Sequence, residues 1–334
     1  MITRRVFVGT LAGGLLAAPL AAGVDAQESR TQPPGKIPQV GVLYPGVPDL
    51  AAPSIVALRE GLRDLGYVEG QHIVLEYRWG GGKVEALPNL AADLVRRKVD
   101  VLHASGPQST KAAMGASRTI PIVGTDLEGD PIESGFIASF AHPGGNITGL
   151  FLDIPGLTGK WLQLVREVAP ATRRVAVLWD ATTGPYQLRA LKVAAQAATI
   201  ELQVLELRRP AEYDDTLKTL MRGRPHALIQ LSSPLIRQAS PRVAAFTVKN
   251  RLPAISLFRE FAVAGGLMTY GPDLLPFFRR AAVYIDKILK GARPGDLPAE
   301  QPAKYDLVIN IKTAKTLGLT MPQSLLLRAD EVIQ

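Results

Sequence analysis

The chain has 334 residues, 47% of them hydrophobic and 20% charged, with a formal net charge of +8 and no cysteine. That length exceeds what one hydrophobic core usually supports, so a globular α/β protein of two domains is expected. The lack of cysteine excludes disulfides, thiolate chemistry, Cys-based zinc and a lipid anchor on an N-terminal cysteine. The Lys and Arg excess is spread through helical segments such as Arg96-Arg97-Lys98, with no basic run interleaved with aromatics, so no nucleic-acid partner is expected.

Thr3-Arg4-Arg5-Val6-Phe7 opens the chain, an apolar stretch runs from Val6 to Val24, and Val24-Asp25-Ala26 has the small-x-small pattern of a cleavage site. Residues 1–26 therefore predict a cleaved export signal, and the paired arginines fit the twin-arginine route. The alternative, an uncleaved membrane anchor, is weakened by Gly9, Gly13, Gly14 and Pro19. Residues 27–36 read as a polar linker. No later segment reaches the ~20 apolar residues of a bilayer crossing, so a soluble periplasmic protein is expected.

Beyond the linker, short β-branched runs alternate with helical periodicity. QVGVLYPG, HIVLEYRW, VDVLHASG and TIPIVGTD predict four strands. Helices are predicted around Ile55–Leu65 (stopped by Gly66), over LPNLAADLVRRKVD and over STKAAMGAS. The order then recurs: RRVAVLWD, IELQVLEL, HALIQLSS and LPAISLF as strands, with YQLRALKVAAQAA, YDDTLKTLMRGRP and QASPRVAAFTVKN as helices. Ile120-Pro121-Ile122 in the first series is answered by Leu252-Pro253-Ala254 in the second.

Alternating βα units build parallel sheets with helices on both faces. The expected fold is thus α/β, two doubly wound, Rossmann-like parallel-sheet lobes joined by a hinge. GGLMTYGPD, the helix LLPFFRRAAVYIDKILKG and YDLVINIKTAKTLGL follow the second series and should cross back between lobes. That places lobe 1 at residues 37–149 plus about 270–301, and lobe 2 at residues 150–269 plus about 302–334.

Ligands of such sheets bind beyond the carboxyl ends of the strands. Gly106, Ser105, Ser109 and Thr110 make a small polar junction between a strand and a helix, where free N–H groups and hydroxyls suit a carboxylate. Ordinary helix capping by Ser105 or Ser109 explains the same residues. Asp126, Asp130, Asp180 and Glu260 sit at other strand ends and suit a ligand ammonium, or serve as caps. Thr125 and Ser232 add hydroxyls there. Tyr44, Trp179, Tyr186, Phe258 and Tyr270 offer stacking surface for an apolar ligand body, or plug the lobe interface.

No motif of an enzyme stands out. His72, His103, His142 and His226 have no metal spacing, there is no GxSxG, and no GxGxxG follows the first strand. Asp126 and Asp130 are close in sequence, but nothing pairs them as acid and base. Neither a metal nor another cofactor is expected.

LREGLRDLGYVEGQHIVLEYRWGGGKVEALPNLAADLVRRKVDVL, IPIVGTDLEGDPIESGFIASFAHPGGNITGL, EFAVAGGLMTYGPD and EQPAKYDLVINIKTAKTLGLTMPQSLLLRADEVI resemble the solute-binding components of ABC importers. The likeness runs from about Val40 to Ile333 and is greatest to the tryptophan/tyrosine-type proteins of the periplasmic binding protein type I fold. It implies a monomer that takes a small-molecule ligand in an interlobe cleft and hands it to ABC permease subunits in the inner membrane. It also implies a carboxylate held at a loop of the Ser105–Thr110 kind. Thr125-Asp126-Leu127-Glu128 is more acidic than relatives often are there, which suits a more cationic ligand. A sensory protein of the same fold, reporting ligand to a membrane receptor, is the alternative; a secreted enzyme is a third.

Overall fold

The computed structural model describes residues 36–334. The export signal read in residues 1–26, and nearly all of the linker, lie outside the described residues.

The first sheet consists of β1 (Gln39–Tyr44), β2 (Val74–Trp79), β3 (Val101–Ser105), β4 (Ile122–Asp126) and β5 (Ile147–Phe151). Their order is β2-β1-β3-β4-β5 and every pairing is parallel. Helices α1 (Pro48–Asp64), α2 (Leu87–Arg96) and α3 (Gly106–Ala116) make the crossovers. Strands β3, β4 and β5 are buried along their whole length, as continuous apolar runs in a two-sided parallel sheet should be. Helix α1 begins at a proline in its first turn and ends just before Gly66, whose φ of +91° turns the chain out of the helix.

The second sheet is larger: β6 (Arg174–Asp180), β7 (Glu201–Leu207), β8 (Ala227–Gln230), β9 (Ala254–Ser256), β10 (Met268–Gly271), β11 (Asp306–Asn310) and β12 (Glu331–Ile333). Their order is β12-β11-β10-β9-β8-β6-β7. Around these strands lie α4 (Ile154–Val168), α5 (Tyr186–Ala197), α6 (Tyr213–Arg222), α7 (Pro234–Gln238), α8 (Ser240–Lys249) and α9 (Arg259–Val263). After β10 come α10 (Leu274–Leu289), α11 (Ile311–Thr316) and α12 (Gln323–Leu326).

The chain passes between the two sheets three times: after β5, after β10 and before β11. Helix α10 packs on α1, returning the chain to the first half. From there Glu300 bridges to Leu150 on β5, with Phe151 N–H donating to Glu300 O at 2.9 Å. The chain then re-enters the second half at the edge it left, so Asp306 pairs with Gly271 and β11 runs antiparallel to β10. All other pairings of this sheet are parallel.

Three apolar clusters hold the structure. One lies in the first half around Leu43, Leu94, Leu102 and Phe151. A second lies in the other half around Leu178, Leu217, Leu228 and Phe261. The third runs from Val40 and Leu58 through Trp161 to Val175 and Ile309, joining the two halves along the hinge. Trp161 at its centre is fully buried, and its indole N–H donates to Tyr270 O at 2.8 Å. Among the described residues, no helix is long and apolar enough to cross a membrane.

Candidate functional site

The carboxyl ends of β1, β3 and β4 face the loops that follow β8 and β9. Tyr44, Ser105, Gly106, Thr125, Leu127, Glu128 and Phe278 from one side, and Pro234, Arg237 and Phe258 from the other, enclose a cavity of about 20 Å³. That is room for about one water. Pro234 also lines a neighbouring cavity of about 150 Å³ that contains Gln108, Asp180, Thr182 and Arg208. Arg237 also lines a third, of about 510 Å³, beside Glu260, Asp273 and Lys304. Residues of α7 line all three cavities, and the smallest, at the facing strand ends, is where the groove between the sheets is pinched.

Hydrogen bonds span the pinch. Gln108 Nε2 donates to Thr182 Oγ1 at 3.3 Å, and Ser232 Oγ donates to Glu128 Oε1 at 3.0 Å. At the rim, Tyr186 donates its hydroxyl proton to Asp130 Oδ2 at 2.9 Å, and Arg189 pairs with Glu133. The halves are shut against each other. Small-molecule pockets typically measure roughly 300–1,000 Å³, so a ligand enters the centre only if the halves part.

The floor of the groove is acidic. Asp126 ends β4 and is fully buried; its Oδ1 accepts the N–H groups of Glu128 (2.8 Å) and Gly129 (2.9 Å), while no donor among the described residues reaches Oδ2. Burial pushes its carboxyl up to about 6, against the opposing pull of those N–H groups. Glu128 is raised well above the usual carboxylate range, first by burial and then by the Asp126 charge. On the opposite wall burial also raises Asp180, whose Oδ1 accepts the N–H (2.9 Å) and hydroxyl (2.7 Å) of Thr182.

Among the described residues, Arg237 on α7 is the one cation lining the central cavity. Its Nε donates to Glu260 Oε1 at 2.9 Å and its guanidinium lies 5.6 Å from the centroid of the Phe258 ring. Tyr44 faces it from β1. Burial raises the Tyr44 phenol, with Arg237 pulling the other way. Trp79 holds the Tyr44 ring from the side, 5.8 Å away and tilted by 60°.

The start of α3 is arranged differently from a simple cradle. Ser105 occupies the N-cap position but its hydroxyl makes no capping bond, and Gly106 follows with φ +78°. Thr110 turns its hydroxyl back onto Gly106 O at 3.0 Å, and Ser109 Oγ is buried with no hydrogen bond. A Cβ added to Gly106 would lie 3.6 Å from Glu128 Oε2. The chain's own carboxyl therefore stands beside the helix start where a ligand anion was expected.

Of the residues expected from strand ends, Tyr44, Ser105, Gly106, Thr125 and Phe258 come together around the central cavity. Asp126 and Ser232 are buried beside it in contact with Glu128, and Asp130 and Tyr186 meet at the rim. Asp180 and Glu260 line the flanking cavities. Ser109 and Thr110 are buried within α3. Trp179 and Tyr270 are not brought to the centre: the Trp179 indole donates to Gly184 O at 3.1 Å, and Tyr270 stacks on Tyr305 at 5.8 Å near the hinge. Arg237, Phe278 and the central position of Glu128 were not read from sequence. The available signal was Ser233, which caps α7 by accepting the Ile236 N–H at 2.9 Å and so starts a helical turn that carries Arg237 back over the cleft.

Two parallel-sheet lobes, three crossings and a groove at the facing strand ends define a bilobed binding-protein fold. Residues 51–333 match the family described as ABC transporter substrate binding protein, and the chain belongs to that family. The chain is 26% identical over 275 residues to a protein named "Tyrosine-binding protein" from Clostridioides difficile (strain R20291), covering 80% of this chain and 78% of that one. Two solved structures share its fold with TM-scores of 0.82, each covering 89% of this chain and 100% of the other. One is a conserved domain protein from Vibrio cholerae, 23% identical; the other is an ABC domain in complex with L-Trp from Streptococcus pneumonia, 22% identical.

Proposed function

We propose that this chain is the solute-binding component of an ABC importer, exported to the periplasm by the twin-arginine route, where it captures an aromatic amino acid between its lobes. The lobes part to admit the ligand and close on it, and the closed form is what the permease subunits recognise. The reading is carried by the central cavity, where one cation, Arg237, faces the start of α3 between the aromatic rings of Tyr44, Phe258 and Phe278. The ligand carboxylate meets Arg237, and its ring packs on those aromatic faces. The names of the Clostridioides and Streptococcus relatives agree with such a ligand. Capture and delivery leave the ligand chemically unchanged.

The test is a thermal-shift panel on protein unfolded and refolded to strip carried ligand. At 100 times its Kd a ligand adds about 2.7 kcal/mol of stability. L-tyrosine or L-tryptophan should raise the melting temperature and their amides should not. Equal shifts for acid and amide would remove the carboxylate contact; no shift with any aromatic amino acid would remove the ligand class.

A further inference from the structure

The acidic floor of the groove is out of balance with its surroundings. Asp126 is 0% exposed and Glu128 3% exposed, their carboxyls lie within side-chain hydrogen-bond reach of each other, and among the described residues no donor group reaches Asp126 Oδ2. The one partner Glu128 finds across the gap is a neutral hydroxyl, that of Ser232 at 3.0 Å. The nearby cations are committed elsewhere: Arg237 pairs with Glu260, and Arg208 with Glu206 at 2.6 Å. The groups that act on Glu128 and Asp126 are mostly acidic too: Asp130 from the next turn, Asp180 from the opposite wall and the Tyr44 phenol from β1. Arg237, which acts on Tyr44, is the positive member of this set. Two ionised carboxylates shut away together without a cation are strongly unfavourable.

Building on the amino-acid reading above, we propose that Glu128 carries a proton when the empty cleft shuts onto Ser232, and that a cationic head group on the ligand replaces it. Asp126 and Glu128 then select for an ammonium. Open to water, Glu128 ionises; shut without ligand, it needs its proton; shut on an ammonium, it does not. The Asp126 carboxyl, within side-chain hydrogen-bond reach of Glu128, accepts that proton's hydrogen bond in the empty cleft and supplies the second acceptor for the ammonium. The same contact makes closure of the empty protein depend on pH. The shut form holds the proton more tightly, so it is favoured at low pH and gives way as pH rises.

Two measurements on the refolded full-length chain test this. The first is calorimetry at about pH 5.5, where the empty cleft is shut, in two buffers of unequal ionisation heat, with L-tyrosine and with 3-(4-hydroxyphenyl)propionate, which lacks the ammonium. The wild type should release a proton on binding L-tyrosine and bind the propionate about 10-fold or more weakly, the range of a lost charge-assisted hydrogen bond. Glu128→Gln should abolish the proton release and most of the preference. Equal affinities in the wild type, or a preference that survives in Glu128→Gln, overturn the proposal while leaving a carboxylate-binding cleft intact. If neither compound binds, the aromatic amino-acid reading fails and the second measurement decides the role of Glu128. This is X-ray scattering from ligand-free protein at about pH 5.5 and about pH 8.5, which brackets a raised carboxyl. The wild type should expand at the higher pH and Glu128→Gln should change much less. A wild type that does not respond, or a variant that responds equally, overturns the proposal whatever the ligand.

Discussion

Tyr186 at the start of α5 and Asp130 in the loop after β4 meet across the groove, hydroxyl to Oδ2 at 2.9 Å. Asp130 is fixed for this contact by its own turn, since its Oδ1 accepts the N–H groups of Ile132 (2.7 Å) and Glu133 (2.8 Å). Arg189 lies 5.6 Å from the Tyr186 ring centroid and pairs with Glu133, so a small polar cluster latches the rim. The contact exists only with the halves shut. Tyr186→Phe should therefore weaken ligand binding about 3- to 10-fold, the value of one ordinary hydrogen bond. Calorimetry with L-tyrosine at about pH 8.5, where the free halves part, reads the loss, and the melting temperature of the free protein at that pH should barely move.

Arg237 faces the cavity but leans on Glu260 for its position. Arg237→Ala should lower affinity for L-tyrosine about 10- to 100-fold, as expected for a lost charged hydrogen bond, with a far smaller effect on tyrosine amide. Arg237→Lys should recover little, because one ammonium cannot reproduce the fork that reaches Glu260 and a ligand carboxylate together. A equal loss for acid and amide would place the guanidinium in packing alone.

Gly149 sits inside β5 with φ +144°, and a Cβ there would fall 1.9 Å from Gly124 O on β4. The neighbouring backbone cannot yield without breaking the β4–β5 ladder. Gly149→Ala should cost roughly 1–3 kcal/mol or more, the scale of local backbone strain, as measured by denaturant unfolding. Wild-type stability in this variant would mean that the two strands are not paired as described.

His103 lies on β3, fully buried, with its Nε2 3.5 Å from Thr125 Oγ1. Burial pushes its imidazole down to about 4. The unfolded chain then binds more protons than the folded one between about pH 6.5 and the folded value. The stability due to neutral His103 is complete above about pH 6.5 and is lost as pH falls towards 4, by up to about 3 kcal/mol. Asp126 and Glu128, whose carboxyls are raised, act in the opposite direction, so the wild-type profile alone is ambiguous. Subtracting the unfolding profile of His103→Asn from that of the wild type should isolate the slope. Parallel profiles would assign the acid sensitivity to other groups.

The strands β1 to β4 and β6 to β9 were legible because each is a short, largely apolar run bounded by small or turn-forming residues. The strand-end rule alone groups Tyr44, Ser105, Thr125 and Phe258, which share the central cavity. β5 was hidden by its own Gly149, which looks like a break but is what lets the backbone approach Gly124. The three-residue β12 is too short to carry a period. The antiparallel β10–β11 pair depends on where the chain re-enters the second half, which local pattern does not encode. Arg237 was missed because its place in the cleft comes from a one-turn helix, α7, and no strand end marks it. Glu128 was visible as an extra acid. What was not visible was that Ser232, 104 residues away in sequence, would be its partner.

The most direct measurement is a crystal structure of the refolded protein with L-tyrosine or L-tryptophan bound at a confirmed stoichiometry. The expected arrangement is the ligand between the halves, its ammonium on Asp126 Oδ2 and Glu128, its carboxylate on Arg237, and its ring against Tyr44 and Phe258. Density for the ligand outside this gap, as in the surface cavity beside Gly159 and Arg166, would contradict it.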